Sequence, residues 1–432
     1  MSRRGAFAAA LLVGLAVRVA ALPLPGTEDV GSWKIWAYGA SRHVTQVYGV
    51  GGDPPVRGVL TWQGRQTTVD YPPAALFELW LVGVLYQRYD PSFGDTTALT
   101  VALKLPGLLC NIAIAALLAW AARRFGAGSD AARWAALAWW LNPAVILNGE
   151  VLGYLDPLMI LPGLAGLILI HVGAVESAGL ALALAVLTKP QGILLMPACA
   201  LAAWHVGGLR SLARLATGGA LASTVLLLPF AIIGALPNMW LAFGSFYARR
   251  DILSGNAANV WWIVNYLLRG YYQIPRLGFP HAYLVEVRRI MSVSTFQEVG
   301  FPNPRPFATA SVLAVGAWGL WTLRRAGDLA THALAGAFVV HTFFVLGIGV
   351  HEHHMMLAVP LLALAASLQA SLRPLFYTIS AIVALNMNVF YGLGLGVGWA
   401  VPRLMLGVDL SVLLSLANIA ALVWHARLVT RA

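Results

Sequence analysis

Apolar residues run through this chain in long unbroken blocks, with polar residues gathered in the gaps between them. Blocks near the roughly 20 residues that a helix needs to cross a bilayer fall at 6–22, 99–121, 132–147, 155–171, 214–234, 307–323, 329–349, 355–370, 374–397 and 404–426. Two shorter blocks, 177–188 and 192–204, flank Lys189-Pro190-Gln191, and another, 74–86, follows Tyr71-Pro72-Pro73. Lipid offers no hydrogen-bond partners, so a spanning backbone must be helical or form a closed barrel. No block alternates with period two, so the pattern predicts helices.

Composition agrees. The 432 residues are 59% hydrophobic and 10% charged, against about 25% charged in soluble domains. Mean hydropathy is +0.75. These values exclude a soluble fold, disorder, a coiled coil and a disulfide scaffold. Cys110 and Cys199 sit inside apolar blocks and read as small core residues. Ser2-Arg3-Arg4 before Gly5–Leu22 looks like a signal peptide. Pro23 and Pro25 follow it instead of a small-residue cleavage site, so an uncleaved first helix is expected.

Charge orients the helices. The net charge of +11 comes from 28 basic and 17 acidic residues. No basic stretch lies outside the hydrophobic frame, so nucleic acid is not an expected partner. A positive-inside bias and an anionic lipid substrate account for it better. The short basic segments are Arg3-Arg4, Arg123-Arg124 with Arg133, Arg210 with Arg214, Arg324-Arg325, Arg373, and Arg427 with Arg431. All fall on one side if 74–86 lies along the outer leaflet and 177–188 and 192–204 form two short crossings. The expected fold class is therefore all-α. Residues 1–432 would form one integral-membrane domain, a polytopic transmembrane helical bundle of about 12 helices with cytoplasmic termini. Two long outer-face loops remain, 23–98 and 235–305. Thirteen of the 17 acids and all three lysines lie on the outer side, which puts the chemistry there.

Five constellations stand out. Glu28-Asp29 opens a stretch, 32–41, expected to form an interfacial helix; the pair is a helix cap or a functional base. Glu150 and Asp156 occupy a tight turn at membrane depth, where carboxylates are costly unless they face a polar cavity. Asp156 before Pro157 would also serve as an N-cap. Lys189-Pro190-Gln191 separates two half-length blocks, a pattern that points to an embedded site; Lys189 could meet a phosphate or snorkel. His351-Glu352-His353-His354 opens a late helix. Zinc is disfavoured there, because the i, i+4 histidine pair is missing and no third ligand is evident. Substrate hydrogen bonding or capping remains. Arg249-Arg250, or Arg288-Arg289 in their place, suit a phosphate above a bilayer.

The chain resembles the GT-C superfamily of glycosyltransferases that use polyprenyl-phosphate sugars. It is most similar to the dolichyl-phosphate-glucose glucosyltransferases and their bacterial relatives. The residues that carry the likeness are Asp29 with Trp36 seven residues on, Tyr71-Pro72-Pro73, Lys189-Pro190-Gln191, Asn256 to Trp261 with Asn259 between, and Val350-His351-Glu352-His353-His354. They run in family order from 28 to about 357. Some positions depart. Leu152-Gly153-Tyr154-Leu155-Asp156 keeps only the Gly and Asp of the usual segment, Asn111 replaces an Asp, and His353 replaces a Lys.

The resemblance implies an inverting transfer of a hexose, or of a pentose, from a lipid-linked donor to a glycan, lipid or protein acceptor. Asp29 would be the general base. Glu28, Trp36, Tyr71, Glu150, Asp156, Lys189, Gln191, Arg249, Arg250, Asn256, Asn259, Trp261, His351, Glu352 and His354 would bind substrate. No cofactor and no metal are expected. A monomer in a bacterial inner membrane, with its active site facing outside, is the expected setting. A transporter or flippase for an anionic or lipid-linked solute would share the broken helices. It would also bring internal repeats, which this chain lacks. A metal-dependent hydrolase would rest on the His351–His354 stretch alone.

Overall fold

The computed structural model describes residues 3–249, 251–285 and 290–431, apart from the side chains of 3 and 245–249. The chain is mostly helical and divides into two compact units. The chain leaves the first unit midway along a helix and returns to it twice.

The first unit comprises 1–117, 148–249 and 394–397. It starts with α1 (Arg3–Ala21) and α2 (Glu28–His43). A hairpin of β1 (Val59–Trp62) and β2 (Arg65–Thr68) precedes α3 (Pro73–Tyr89) and α4 (Thr97–Arg124). The hairpin turns on Gln63 and Gly64, both at positive φ, the requirement of a two-residue turn that twists with its strands. Tyr71-Pro72-Pro73 starts α3: Pro72 stands at the N-cap and Pro73 at the first position, where a missing N–H costs nothing. Around Trp33, Trp36, Leu76 and Phe93, α2, α3 and the hairpin share a core with Leu99 and Leu103 of α4 and with Phe230 and Met239 farther along the chain. The interfacial helix expected over 32–41 is longer, and Glu28 and Asp29 form its first turn.

After the turn at 148–155 come α7 (Asp156–His171), α8 (Val175–Thr188), α9 (Met196–Ile232) and α10 (Leu236–Arg249). At 1.5 Å per residue, the apolar stretch Pro190–Ile232 would be about 65 Å long, twice a hydrocarbon core. It is broken at Gly207 and Gly208, whose backbones are non-helical. The two blocks 192–204 and 214–234 are its halves.

The second unit comprises 118–147, 250–393 and 398–432. It holds the end of α4, α5 (Ser129–Trp140) and α6 (Pro143–Ile146), and then α11 (Val260–Leu277), α12 (His281–Leu284), α13 (Val293–Glu298), α14 (Pro304–Leu323), α15 (Leu329–Leu346), α16 (Ala358–Leu368), α17 (Arg373–Tyr391), β3 (Leu404–Met405), β4 (Val408–Asp409) and α18 (Leu410–Val429). Almost every residue of α15 and α16 is buried, so both helices are apolar all round. Caps set the starts: Asn259 accepts from Trp262 N, Asn303 from Arg305 N, Asp328 from Thr331 N and Asp409 from Ser411 N.

Two sequence boundaries move. The block 404–426 begins its helix only at Leu410, because Leu406-Gly407 turns a short hairpin and Asp409 caps the helix instead of lying inside it. The histidine cluster precedes a helix instead of opening it: a 3-10 turn, His354–Leu357, comes before α16. Among the described residues, seven helical stretches are long and apolar enough to cross a membrane, and 156–171, 175–188 and 354–368 are shorter apolar helices.

Candidate functional site

In the first unit, the start of α2 is pinned to the turn before α7. Thr27 has an extended backbone, and its N–H donates to Leu152 O at 3.1 Å. Trp33, one turn into the helix, donates from Nε1 to Gly153 O at 3.2 Å. Gly153 is at φ +77°, and a Cβ there would lie 2.6 Å from Val30, so glycine is required. Glu28 is exposed and Asp29 half-buried. Both lie where free N–H groups and the helix dipole favour a carboxylate. A cleft of about 540 Å³ opens beside them, walled by Thr27, Glu28, Ser32, Lys34, Arg65 and Gln66.

Behind α2 stands an aromatic wall. Ring centroids of Trp33 and Trp36 are 4.8 Å apart, of Trp33 and Tyr71 4.9 Å, and of Trp36 and Tyr71 5.5 Å. The hydroxyl of Tyr48 fixes the Tyr71 backbone by donating to its carbonyl at 2.6 Å. The indole N–H of Trp36 is buried with no hydrogen-bond partner among the described residues.

Lys189 reaches this wall from the end of α8. Its Nζ lies 5.9 Å from the Tyr71 ring centroid and 6.0 Å from that of Tyr154, within cation–π range. The same Nζ is 2.6 Å from Asp156 Oδ1, and Asn148 Nδ2 donates to Asp156 Oδ2 at 2.9 Å. Lys189 and Asp156 are 1% and 2% exposed, so this cation neither snorkels nor faces solvent. Leu155, not Asp156, occupies the N-cap of α7. The Asp156 side chain is committed to Lys189 and Asn148. Gln191 follows, half-buried, in a 3-10 turn.

A second buried knot lies alongside. Arg18 meets Glu150 Oε1 at 2.6 Å, and Asn111 Nδ2 donates to the same oxygen at 2.9 Å. Lys104 Nζ donates to Leu24 O at 2.7 Å, Glu150 O at 2.9 Å and Val151 O at 2.8 Å. These bonds tie the start of the first loop to a π-helical turn, Leu147–Val151. Arg18 and Lys104 are functional-site neighbours that the motifs did not mark. Their signal was a lone cation inside an apolar block.

Lys34 and Arg65, on the cleft wall, share one carboxylate. Lys34 Nζ is 2.6 Å from Asp95 Oδ1, and Arg65 binds Asp95 Oδ2. Partial burial pushes the Asp95 carboxyl up, but the hydrogen bonds and charges of Lys34 and Arg65 outweigh it and hold it below its ordinary value.

In the second unit, the motifs at 256–261 and 350–354 come together. Gly255 N–H donates to Val350 O at 2.8 Å, and Gly349 N–H to Leu253 O at 3.0 Å. Asn256, at φ +62°, receives Asn386 Nδ2 on its carbonyl at 3.0 Å. Asn259 Nδ2 and Trp261 Nε1 donate to Gly347 O and Leu346 O at 3.2 and 2.8 Å. His353 Nδ1 is 2.9 Å from Glu352 Oε1, and the rings of His351 and His354 are 5.4 Å apart. Among the described residues, no group of three His, Cys, Asp or Glu side chains could hold a metal ion. The Arg249 side chain, Arg250 and Arg288-Arg289 lie outside the described residues.

No family model matches the chain, and no curated protein does. Among solved structures it is similar to the crystal structure of ArnT from Cupriavidus metallidurans bound to undecaprenyl phosphate. The TM-score is 0.53 and the identity 17%, over 100% of this chain and 73% of that one. The likeness is one of fold: this chain has an ArnT-like fold.

Proposed function

We propose that this chain is a membrane glycosyltransferase that moves a sugar, a hexose, from a polyprenyl-phosphate donor to an acceptor hydroxyl on the extracytoplasmic side. The observation that carries the reading is the docking of the α2 start, with Asp29, onto the turn leading to Asp156 and Lys189. An ArnT-like fold, in a neighbour bound to undecaprenyl phosphate, supports the donor class.

In the proposed step the acceptor oxygen attacks the anomeric carbon from the side opposite the phosphate. Its proton passes to Asp29. The new C–O bond forms as the bond to the phosphate oxygen breaks, with inversion. A phosphate leaves as an anion and needs cations or donors more than an acid. Lys189, its charge already matched by Asp156, is assigned to positioning. Arg249, a cation that the sequence offers in the first unit, is the candidate for the phosphate. The cleft at Glu28, Lys34 and Arg65 is the acceptor's approach. The protein would act as a monomer in a bacterial inner membrane.

The test is reconstitution in liposomes with a panel of purified polyprenyl-phosphate sugars. One donor should support transfer, and Asp29→Asn should abolish it without changing the unfolding profile. Activity retained in Asp29→Asn overturns the base assignment. Transfer from none of the panel, together with uptake of a lipid-linked or anionic solute, would make the chain a transporter.

A further inference from the structure

The second unit contains a groove with no part in the proposed transfer. It runs between α5 and α17, has a volume of about 360 Å³, and is walled by Leu137, Ala138, Leu141, Phe376, Ala381 and Ala384 among others. Two polar rungs close its ends. Trp134 Nε1 donates to Tyr377 Oη at 2.8 Å, and Asn142 Nδ2 donates to Ser380 Oγ at 2.9 Å. On α17 the rungs at Tyr377 and Ser380 are three residues apart, about 4.5 Å of helical rise, and the apolar wall continues to Ala384. The alanines keep the groove open.

The first rung carries a charge. Arg373 begins α17, and its guanidinium lies 4.6 Å from the Trp134 ring centroid. Its Nε is buried without a hydrogen-bond partner, and among the described residues no carboxylate pairs with it. The rest of the side chain is half-exposed beside Trp134, where an anion can meet the guanidinium. Trp134 and Tyr377 beside it have the amphipathic rings that sit at headgroup level. The second rung, deeper along both helices, is uncharged.

We propose that this groove binds one anionic phospholipid, with its phosphate on Arg373 and one acyl chain along the apolar wall. The apolar wall fits any acyl chain. The unmatched guanidinium selects the anionic headgroup, in the way basic pockets between membrane helices do. The guanidinium can present two parallel N–H groups to a phosphate, which a lysine cannot.

The experiment is native mass spectrometry of the full chain in detergent, titrated with phosphatidylglycerol and phosphatidylcholine of identical acyl chains. Phosphatidylglycerol should bind about five- to tenfold more tightly. Arg373→Gln should bring it down to the phosphatidylcholine level, and Arg373→Lys should restore part of the difference. Ala384→Leu, which fills the groove, should weaken both lipids. Equal binding of the two lipids by the unaltered protein overturns the proposal, as does a headgroup preference unchanged in Arg373→Gln. If Arg373→Gln does not fold, the preference of the unaltered protein and the weakening of both lipids in Ala384→Leu decide the matter.

Discussion

Lys189 Nζ and Asp156 Oδ1 stand 2.6 Å apart, both side chains buried, at the ends of two helices 33 residues apart in sequence. Each charge is tolerable only because of the other. Asp156→Asn, which strands the ammonium, should cost about 3–5 kcal/mol. The double change Lys189→Met with Asp156→Leu should cost much less. Thermal unfolding of the purified variants measures both. A double loss equal to the sum of the two single losses, Lys189→Met and Asp156→Leu, would show that the charges are not coupled.

Lys104 holds three carbonyls at once, two from the π-helical turn and one from the start of the first loop. Lys104→Met keeps much of the volume and leaves three buried acceptors unmet, so a loss of about 3 kcal/mol or more is expected. Transfer activity should fall as well, because the Asp29 helix loses a tether. Full stability in Lys104→Met would show that water replaces the ammonium.

Asp29 is half-buried and close to the cleft, so Asp29→Asn should leave folding nearly untouched. Loss of a general base removes roughly 10²–10⁴-fold in rate. Transfer measured at saturating donor should fall by that factor with the same melting temperature. A variant that melts earlier would point to a capping role for this carboxylate.

Asp95 links Lys34 and Arg65 on the cleft wall. Its folded value lies below the ordinary one, so its contribution is present above about pH 4 and is lost as pH falls through the lower folded value. The site is partly exposed, which limits the contribution to roughly 0–1 kcal/mol. Asp95→Asn should flatten the acid limb of the stability profile by that amount. High salt should shrink the difference between the two proteins.

Helices α8 and α9 cross on glycine. A Cβ at Gly179 would overlap Leu215 O, and one at Gly218 would overlap Glu176 O, whereas one at Gly219 has its nearest neighbour at 3.6 Å. Gly218→Ala should cost about 1–3 kcal/mol by forcing the helices apart. Gly219→Ala, next to it, should be neutral or stabilising. Identical melting of the two variants would count against close backbone packing here.

Much of the helical layout was legible. A continuous apolar block has one way to satisfy its backbone in lipid, so α1, α4, α14, α15 and α17 could be placed within a few residues. The hairpins were written too, in Gln63-Gly64 and Leu406-Gly407, but short strands between long helices leave a weak pattern. Asp156 was legible as a costly charge. Its function in the fold was not, because Asp-Pro at a helix start also fits a cap, and only the position of Lys189 decides between the two. Arg18 looked like one more residue of a hydrophobic helix until Glu150 appeared beside it.

By itself the sequence determined that this protein is a bundle of membrane helices. Hydrophobic burial is a property of segments, and a segment can be read alone. The tertiary structure decided which charges meet: Lys189 with Asp156, Arg18 with Glu150, and Lys104 with three carbonyls. A buried charge is stable only with a partner at a few ångströms, and such partners come from segments whose separation along the chain carries no trace of the contact.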